Sequence, residues 1–159
     1  MVEARPSDLE QPVRQDTYIR ALKTLPHLDI ILGHFLTKQV RMPLVNPRNG
    51  IYTELVWKTE EKGSDVNLAV NLVRDGFIDA YDVAVIISND SDLLQAIKIV
   101  RNDLHKKVVI LNPRPKSPSV QLKGNVDLFR DIRPWTLQSS QFPDTISDGI
   151  DLITKPSTW

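Results

Sequence analysis

The fold is decided by the stretch Val83-Ala84-Val85-Ile86-Ile87-Ser88-Asn89-Asp90-Ser91-Asp92-Leu93, in which five apolar residues directly precede five polar ones. A short continuous apolar run predicts a strand that is buried on both faces, as is typical of a parallel sheet covered by helices. In such sheets the carboxyl ends of the strands hold the ligand. The polar residues that follow this strand therefore mark a candidate site.

These polar residues have two interpretations. Ser, Asn and Asp are preferred helix N-caps, and an acidic residue in a first turn complements the helix dipole, so a strand-to-helix loop can look like this without any site. Alternatively, Asp90 and Asp92 could hold a hard divalent cation, because Mg²⁺ prefers carboxylate and phosphate oxygens together with retained waters. The second interpretation indicates a phosphate ester as the substrate.

Length and composition predict one globular domain with its own core. The chain has 159 residues, of which 41% are hydrophobic and 25% are charged, and it has no cysteine. The lack of cysteine excludes disulfides, thiolate nucleophiles and thiolate zinc sites. Because no apolar stretch is long enough to span a bilayer and the N-terminus lacks the apolar core of a signal peptide, we expect a soluble, cytoplasmic protein.

The net charge is zero, but the charges are unevenly placed. Residues 98–133 carry nine Lys or Arg against three Asp or Glu, whereas residues 1–97 carry ten against fourteen. A basic segment that follows an acidic strand end suits a polyanion held beside a metal, and Lys106 and Lys107 are its candidate contacts. A solvated helix face with charged loops would give the same pattern.

Strand and helix patterns alternate along the chain, which predicts an α/β domain with a mainly parallel sheet. Residues 40–49 hold two prolines and an Arg-Asn-Gly turn signal, and they separate two predicted strands. Residues 1–133 form the predicted domain, and residues 134–159 form a tail that packs on it or is partly mobile. The predicted helices are 12–25, one from Ser64 or Asp65 to 76–79, 92–102 and 120–128, and the predicted strands are 28–36, 54–57, 82–87, 107–111 and 129–132.

A second acidic junction follows the strand predicted at 54–57. Asp65 lies there in the first turn of the next helix. If this strand and the strand at 82–87 are close in one sheet, Asp65 faces the same crevice as Asp90 or Asp92. Three carboxylates in one crevice would repel one another unless a cation joined them. This convergence favours a metal site over capping alone.

Several segments resemble the NYN domain, a branch of the PIN-like ribonucleases. The combined Lys-Gly-x-Asp-x-Asn and Ser-Asn-Asp-Ser-Asp pattern carries the resemblance, which extends over nearly the whole chain. The segments are Glu60-Glu61-Lys62-Gly63-Ser64-Asp65-Val66-Asn67-Leu68-Ala69, Tyr81-Asp82-Val83-Ala84-Val85, Ser88-Asn89-Asp90-Ser91-Asp92-Leu93, Lys107-Val108-Val109-Ile110-Leu111-Asn112-Pro113 and Ser140-Gln141-Phe142-Pro143.

The resemblance implies a PIN-like, Rossmann-like sheet and a metal-dependent RNA endonuclease that uses Mg²⁺ or Mn²⁺. The positions that match the catalytic and metal-binding residues are Asp65, Asp90 and Asp92. Such a cation lowers the pKa of a bound water and neutralises charge on the phosphodiester. The residues that could bind substrate or position the carboxylates are Ser88, Asn89, Ser91, Asn67 and Lys62, for which capping and solvated loop charge are the simpler roles.

One departure from the family concerns its first strand. NYN domains normally open with a strand that ends in an Asp-x-x-Asn motif and supplies a principal metal ligand, and this sequence has no such segment. A sheet without that strand leaves backbone groups unpaired on its neighbours. We therefore expect an N-terminally shortened chain, a homodimer or a partner chain that supplies the strand, and weak or absent cleavage by this chain alone. The alternative function is a non-catalytic RNA-binding or regulatory subunit that needs a partner chain.

Overall fold

The computed structural model describes residues 10–159 and divides the chain into two compact units. The first unit comprises the chain up to Ser64 together with Pro143–Trp159, and the second comprises Asp65–Phe142. The tail predicted at 134–159 is thus shared, because residues 134–142 belong to the second unit and the remainder to the first. Among the described residues, no helix is both long and apolar enough to cross a membrane.

The described part of the first unit, residues 10–64 and 143–159, contains one helix and two antiparallel hairpins. In helix α1 (Gln11–Lys23), which agrees with the predicted helix, Pro12 occupies the first turn, where its missing N–H costs nothing. Strands β1 (His34–Arg48) and β2 (Ile51–Lys62) are joined at Asn49 and Gly50, whose φ angles of 51° and 75° suit a type I′ turn. The second hairpin consists of β6 (Thr145–Ser147) and β7 (Leu152–Thr154).

The sequence expectations for this hairpin need two corrections. Residues 40–48 belong to β1 and do not form a separate turn region, and the strand predicted at 28–36 begins only at His34. Prolines are tolerated there because each strand of a two-stranded hairpin is an edge strand, and the register shifts between Pro43 and Arg48. The strand predicted at 54–57 extends to the whole of β2.

The second unit is built on a parallel three-stranded sheet flanked by helices, which confirms the predicted α/β fold. The sheet consists of β3 (Val83–Ile87), β4 (Lys107–Asn112) and β5 (Leu128–Asp131), in the order β3-β4-β5. Its helices are α2 (Ser64–Phe77), α3 (Leu94–Lys98), α4 (Val120–Lys123) and α5 (Pro134–Ser139), and α3 lies between a 3-10 turn at Ser91–Leu93 and a π-helical turn at Ile99–Asp103.

The core of this unit lies on one face of the sheet. Alternate residues of the two apolar strands point to that face, and they are buried against helical side chains. The residues that share this core are Ala84, Ile86, Val108 and Ile110 from the strands, and Leu72, Leu93, Ala96, Ile97, Val100 and Leu122 from the helices. The core therefore fixes the strand ends to which the candidate site belongs.

The sheet differs from the expected one at β3. The expectation that strands 54–57 and 82–87 share a sheet is wrong, because residues 54–57 lie in β2, which pairs with β1. The Asn-Gly turn makes β1 the nearest available partner of β2, and a local hairpin forms at a lower entropic cost than a distant pairing. As a result, β3 is an edge strand of the described sheet.

Candidate functional site

A cleft of about 430 Å³ lies at the carboxyl ends of β3 and β4. Asp65 reaches it from the first turn of α2, and Asp90 reaches it from the loop that follows β3. The two aspartates thus line one cleft, although the strand that precedes α2 belongs to a different sheet. The lining residues are Asp65, Ile87, Ser88, Asn89, Asp90, Ser91, Pro113 and Arg114.

Asp90 is both a cap and a lining residue of the cleft. Its Oδ1 accepts a hydrogen bond from the Asp92 N–H at 2.9 Å, and its own N–H donates to Ser88 Oγ at 3.0 Å. The capping interpretation is therefore realised in this loop. Because a carboxylate has two oxygens with about four acceptor sites, capping occupies only part of its capacity and leaves Asp90 able to bind a cation or a hydrogen-bond donor.

Asn89 links the end of β3 to the loop before α4. Its Nδ2 donates to the Ser117 carbonyl at 2.9 Å, and its Oδ1 accepts from the Ser119 N–H at 2.7 Å. Ser119 in turn caps α4, since its Oγ accepts from the Leu122 N–H. These contacts give Asn89 a structural role in the wall of the cleft. Its predicted contact with substrate stays a prediction.

Asn112 and Arg114 form the part of the site that the sequence interpretation missed. Asn112 is fully buried, and its Nδ2 donates to Asp131 Oδ1 at 2.7 Å while its Oδ1 accepts from the Arg114 N–H at 2.9 Å. It thereby fixes the backbone that carries Arg114 into the cleft. The available signal was the asparagine that directly follows the strand predicted at 107–111, the same pattern that identified the loop after β3.

The three predicted carboxylates do not form one ligand group. Asp92 is exposed in the 3-10 turn and is not among the lining residues, and no three His, Cys, Asp or Glu of residues 10–159 are placed to hold a metal ion together. The donor set still fits Mg²⁺ or Mn²⁺, since Mg²⁺ is commonly held by one or two carboxylates with waters and phosphate oxygens. Asp65 and Asp90 would supply those carboxylates. The set does not fit a cation enclosed by protein ligands alone.

The predicted basic contacts lie away from this cleft. Lys107 begins β4 and is paired with Val83, so Lys106 and Lys107 lie at the amino ends of the parallel strands. The length of β3, roughly 13 Å at about 3.3 Å per residue, lies between them and the loop that carries Asp90. Lys106 donates to Asp79, and this ion pair lowers the pKa of the Asp79 carboxyl. The expectation that they lie beside the acidic strand end is therefore corrected, and Arg114 is the basic residue that lines the cleft.

The other predicted substrate contacts have local partners. Lys62, in the first unit, is 3.0 Å from Glu60, and hydrogen bonds from Lys58 and Lys62 lower the pKa of Glu60 to about 2. Asn67 is partly buried in α2, and its carbonyl accepts from Asn71 Nδ2. Neither Lys62 nor Asn67 is among the residues that line the cleft.

Comparison with known proteins identifies the family of the domain that carries the cleft. The family model of the NYN domain matches residues 30–133, which is more than half of the chain. The chain belongs to the NYN domain family. The predicted PIN-like fold is confirmed by this match and by the parallel sheet flanked by helices. The NYN family is a PIN-like nuclease family. The aspartates at the carboxyl end of β3 therefore lie in a domain of the family that the sequence resemblance predicted.

Two further comparisons define how far the likeness extends. The chain is 28% identical over 160 aligned positions to 6-hydroxy-3-succinoylpyridine 3-monooxygenase HspA of Pseudomonas putida, with 91% of this chain and 50% of that protein covered. It thus spans about half the length of this curated relative. A crystal structure of a protein of unknown function from Vibrio parahaemolyticus matches with a TM-score of 0.53 and 16% identity, covering 84% of this chain and 65% of that one. The second match shows the fold alone.

Proposed function

We propose that this NYN domain is a metal-dependent RNA endonuclease whose activity is weak when the chain acts alone. The observation that supports the proposal is that Asp65 and Asp90 line one cleft with Arg114, in a family of PIN-like nucleases. Two carboxylates and a guanidinium can accommodate a divalent cation together with a phosphate group. RNA is accordingly the proposed substrate and the cytoplasm the proposed location.

Each residue of the cleft has a distinct role in the proposed reaction. Asp65 and Asp90 would hold Mg²⁺ or Mn²⁺, which when bound supplies an activated water and offsets phosphodiester charge. Arg114 donates hydrogen bonds to a phosphate oxygen and so orients the scissile group. Ser88 holds the Asp90 backbone through its hydroxyl, and Asn89 holds the loop that follows Arg114 through Ser117 and Ser119. These contacts preorganise the loop before substrate arrives.

The limited set of carboxylates supports weak activity. With two lining aspartates, the cation would be held less tightly and less rigidly than by a fuller set of anionic ligands. The same observation supports the alternative function, a non-catalytic RNA-binding or regulatory subunit. The two functions differ in one measurable respect, because only the endonuclease shortens RNA when Mn²⁺ is added.

A metal-binding experiment tests the site independently of turnover. A ligand that binds only the native state at ten times its dissociation constant stabilises it by about 1.4 kcal/mol. For a chain of this size that corresponds to a rise in melting temperature of roughly 3 to 6 °C. We expect Mn²⁺ to produce such a rise in the wild type and in the control Asp103→Asn, and to produce none in Asp65→Asn or Asp90→Asn.

Cleavage is measured in parallel on a fluorescently labelled single-stranded RNA at high enzyme concentration. Slow Mn²⁺-dependent cleavage that Asp90→Asn abolishes and Asp103→Asn retains would support the endonuclease. Mn²⁺ stabilisation and RNA binding without any cleavage would instead establish the non-catalytic alternative. If Mn²⁺ stabilises the wild type and Asp90→Asn equally, the cleft is not the metal site and the proposal fails.

The relative named as a monooxygenase favours a second candidate function. HspA is named for 3-monooxygenation of 6-hydroxy-3-succinoylpyridine, and its match covers 91% of this chain. A monooxygenase consumes oxygen and a reductant together with its substrate. Oxygen uptake that requires this protein, an added reductant and 6-hydroxy-3-succinoylpyridine would support this candidate, and an unchanged background rate would exclude that activity for this chain.

A further inference from the structure

The exposed edge of β3 has the features of a strand that pairs with another strand. β3 lies at one end of the sheet order, so the backbone groups on its outer side have no partner strand in the described chain. Natural edge strands are usually protected by charged residues, prolines or bulges. The other edge strand, β5, carries Arg130 and Asp131, whereas β3 reads Val-Ala-Val-Ile-Ile with no such protection.

We propose that β3 pairs antiparallel with β3 of a second copy of this chain, with Val85 opposite its own counterpart. The two sheets would then continue as one six-stranded sheet about a two-fold axis, an interface that buries the same patch on both subunits. In this register Val83 lies opposite Ile87 and Ala84 lies opposite Ile86, so every cross-strand pair is apolar. Such pairs are the units that stabilise a sheet.

The charges at the ends of β3 favour this register over the one centred a residue later. Centring the pairing on Val85 places Asp82 opposite Ser88, a contact between a carboxylate and a hydroxyl. Centring it one residue later would place Asp82 opposite Asp90, and like charges directly opposite are destabilising. The charges of two β3 strands are thus compatible when the pairing is centred on Val85 and repel when it is centred on Ile86.

Helix α2 supplies apolar surface that a five-residue strand alone lacks. A stable interface buries about 800 Å² on each partner, more than one short strand provides. Val66, Val70 and Phe77 of α2 are 65%, 57% and 78% exposed. Val70 and Phe77 line a groove of about 530 Å³ with Ala96 of α3 and Ile99 of the following turn. Because the two-fold axis would keep both helical layers on the same side of the sheet, the exposed flanks of the two α2 helices can pack together.

The pairing also brings a carboxylate to the candidate site. Ala84 and Ile86 of β3 point to the face of the sheet that carries the core. Continued by one residue at each end of the strand, the same alternation would place Asp82 and Ser88 on that face. The partner subunit's Asp82 would therefore lie beside Ser88, which lines the cleft with Asp65 and Asp90. This contribution rests on the proposed function, whereas the strand pairing does not. It would supply the third carboxylate that residues 10–159 of one chain do not assemble.

Cysteine cross-linking tests the pairing directly, because the chain has no cysteine of its own. Opposed residues of an antiparallel pair have Cα atoms about 4.5 to 5.5 Å apart, within the range that a disulfide spans. Under mild oxidation we expect Val85→Cys to form a disulfide-linked dimer and the control Val120→Cys, at a site that is 84% exposed on α4, to stay monomeric. Equal cross-linking of both variants, or none in Val85→Cys, would overturn the pairing.

The mass in solution provides the second measurement. We expect light scattering to give twice the 18.1 kDa chain mass for the wild type and for Val85→Thr, and a monomer for Val85→Lys. Val85 is 59% exposed, so a lysine there adds charge at the edge without entering the core. Circular dichroism checks that the lysine variant is folded. A monomeric wild type at tens of micromolar concentration would also overturn the proposal.

Subunit mixing tests the contribution of Asp82, with Mn²⁺ binding as the readout. We expect Asp82→Asn and Asp90→Asn homodimers each to lose Mn²⁺ binding while keeping the dimer mass. A mixed dimer regains one intact site, since one subunit keeps its own Asp90 and receives the partner's Asp82. Random mixing should restore about a quarter of the wild-type sites.

If dimers form and mixing restores none, the partner contributes no ligand. If Mn²⁺ binds neither wild type nor variants while Val85→Cys cross-links, the proposed function fails and the pairing stands.

Discussion

Asn89 accepts a hydrogen bond at 2.7 Å from the backbone N–H of Ser119, which lies 30 residues further along the chain. The same side chain donates to the Ser117 carbonyl, so one amide holds the loop before α4 against the end of β3. The loop before α4, which includes the cleft residues Pro113 and Arg114, is therefore tied to the loop that carries Asp90. The order of the loop depends on a side chain and not on a sheet ladder.

We expect Asn89→Ala to loosen this loop. The variant removes both hydrogen bonds and leaves the Ser119 N–H without its acceptor, at a cost of about 1 to 2 kcal/mol. The melting temperature should fall by roughly 2 to 8 °C. Hydrogen exchange should accelerate at the Ser119 amide, while the amides of β4 stay protected.

Asn89→Asp is the matched control. It retains an acceptor for Ser119 but cannot donate to Ser117. Its exchange rate at Ser119 should lie between those of the wild type and Asn89→Ala. Unchanged exchange in Asn89→Ala would show that the loop is held by other contacts.

The sequence predicted the individual helices and strands around the site better than it predicted which strands pair with one another. The helix from Ser64 and the strands at 82–87 and 107–111 follow from apolar periodicity and capping residues, and the structure confirms them within a residue or two. These signals lie within a few residues of the elements they define. The apolar run before Ser88 therefore located the cleft without knowledge of the tertiary fold.

Strand pairing and the ends of strands could not be predicted in the same way. The periodicity of residues 54–57 does not say whether they pair with β1 or with β3, and the turn at Asn49 and Gly50 decided for β1. The positions of Lys106 and Lys107 could have been predicted. In a parallel sheet, residues just before one strand lie at the amino ends of the strands, and residues just after the neighbouring strand lie at the carboxyl ends. Charge counting along the chain ignores this geometry.

Gly76 is expected to tolerate no side chain. A Cβ added there would lie 2.7 Å from the Tyr81 hydroxyl and 3.1 Å from Leu104 Cδ1. The Tyr81 hydroxyl donates to the Leu72 carbonyl at 2.6 Å, and its burial raises the pKa of the phenol. Gly76→Ala should cost about 1 to 3 kcal/mol, as overpacked cores do. Denaturant unfolding measures this loss.

Two further variants separate the clash from a general glycine effect. Removing the hydroxyl in the double variant Gly76→Ala with Tyr81→Phe should recover part of the stability, because the closest contact is lost. Gly124→Ala should be nearly neutral, since an added Cβ there lies 3.6 Å from the Val120 carbonyl. Equal losses at Gly76 and Gly124 would contradict the steric explanation.

Asp127 should make the stability of the second unit depend on pH. Its carboxylate accepts two hydrogen bonds of 3.0 Å from Arg101 and one of 2.8 Å from the Val108 N–H, and these contacts lower its pKa. Because the pKa is lower in the folded state, the stabilisation is present in full above the unfolded pKa of about 3.9 and is lost as the pH falls through the folded value. Asp127→Asn should cost about 1.5 kcal/mol at pH 7.

The difference between wild type and Asp127→Asn is the quantity to measure. It should be roughly 3 to 6 °C in melting temperature at pH 7 and should shrink below about pH 4. Asp103→Asn, at an exposed position in the same unit, serves as the control for the general loss of an acidic charge. A difference that grows on acidification would contradict the lowered pKa.

Arg114 should carry the salt dependence of RNA binding, and not Lys106 or Lys107, which were the candidate polyanion contacts predicted from the sequence. Arg114 lines the cleft with Asp65 and Asp90, whereas both lysines lie at the amino ends of the strands and Lys106 is paired with Asp79. Each phosphate contact releases counterions and steepens the dependence of log K on log salt concentration, by about 0.7 on a single strand and about 0.9 on duplex DNA. Arg114→Ala should therefore flatten the slope for a single-stranded RNA by about 0.7, the value for one contact on a single strand.

The control is Lys107→Ala, which removes an exposed cation of the same basic segment and should leave the slope unchanged. If Lys107→Ala flattens the slope and Arg114→Ala does not, RNA binds at the opposite end of the sheet and the cleft is not its site.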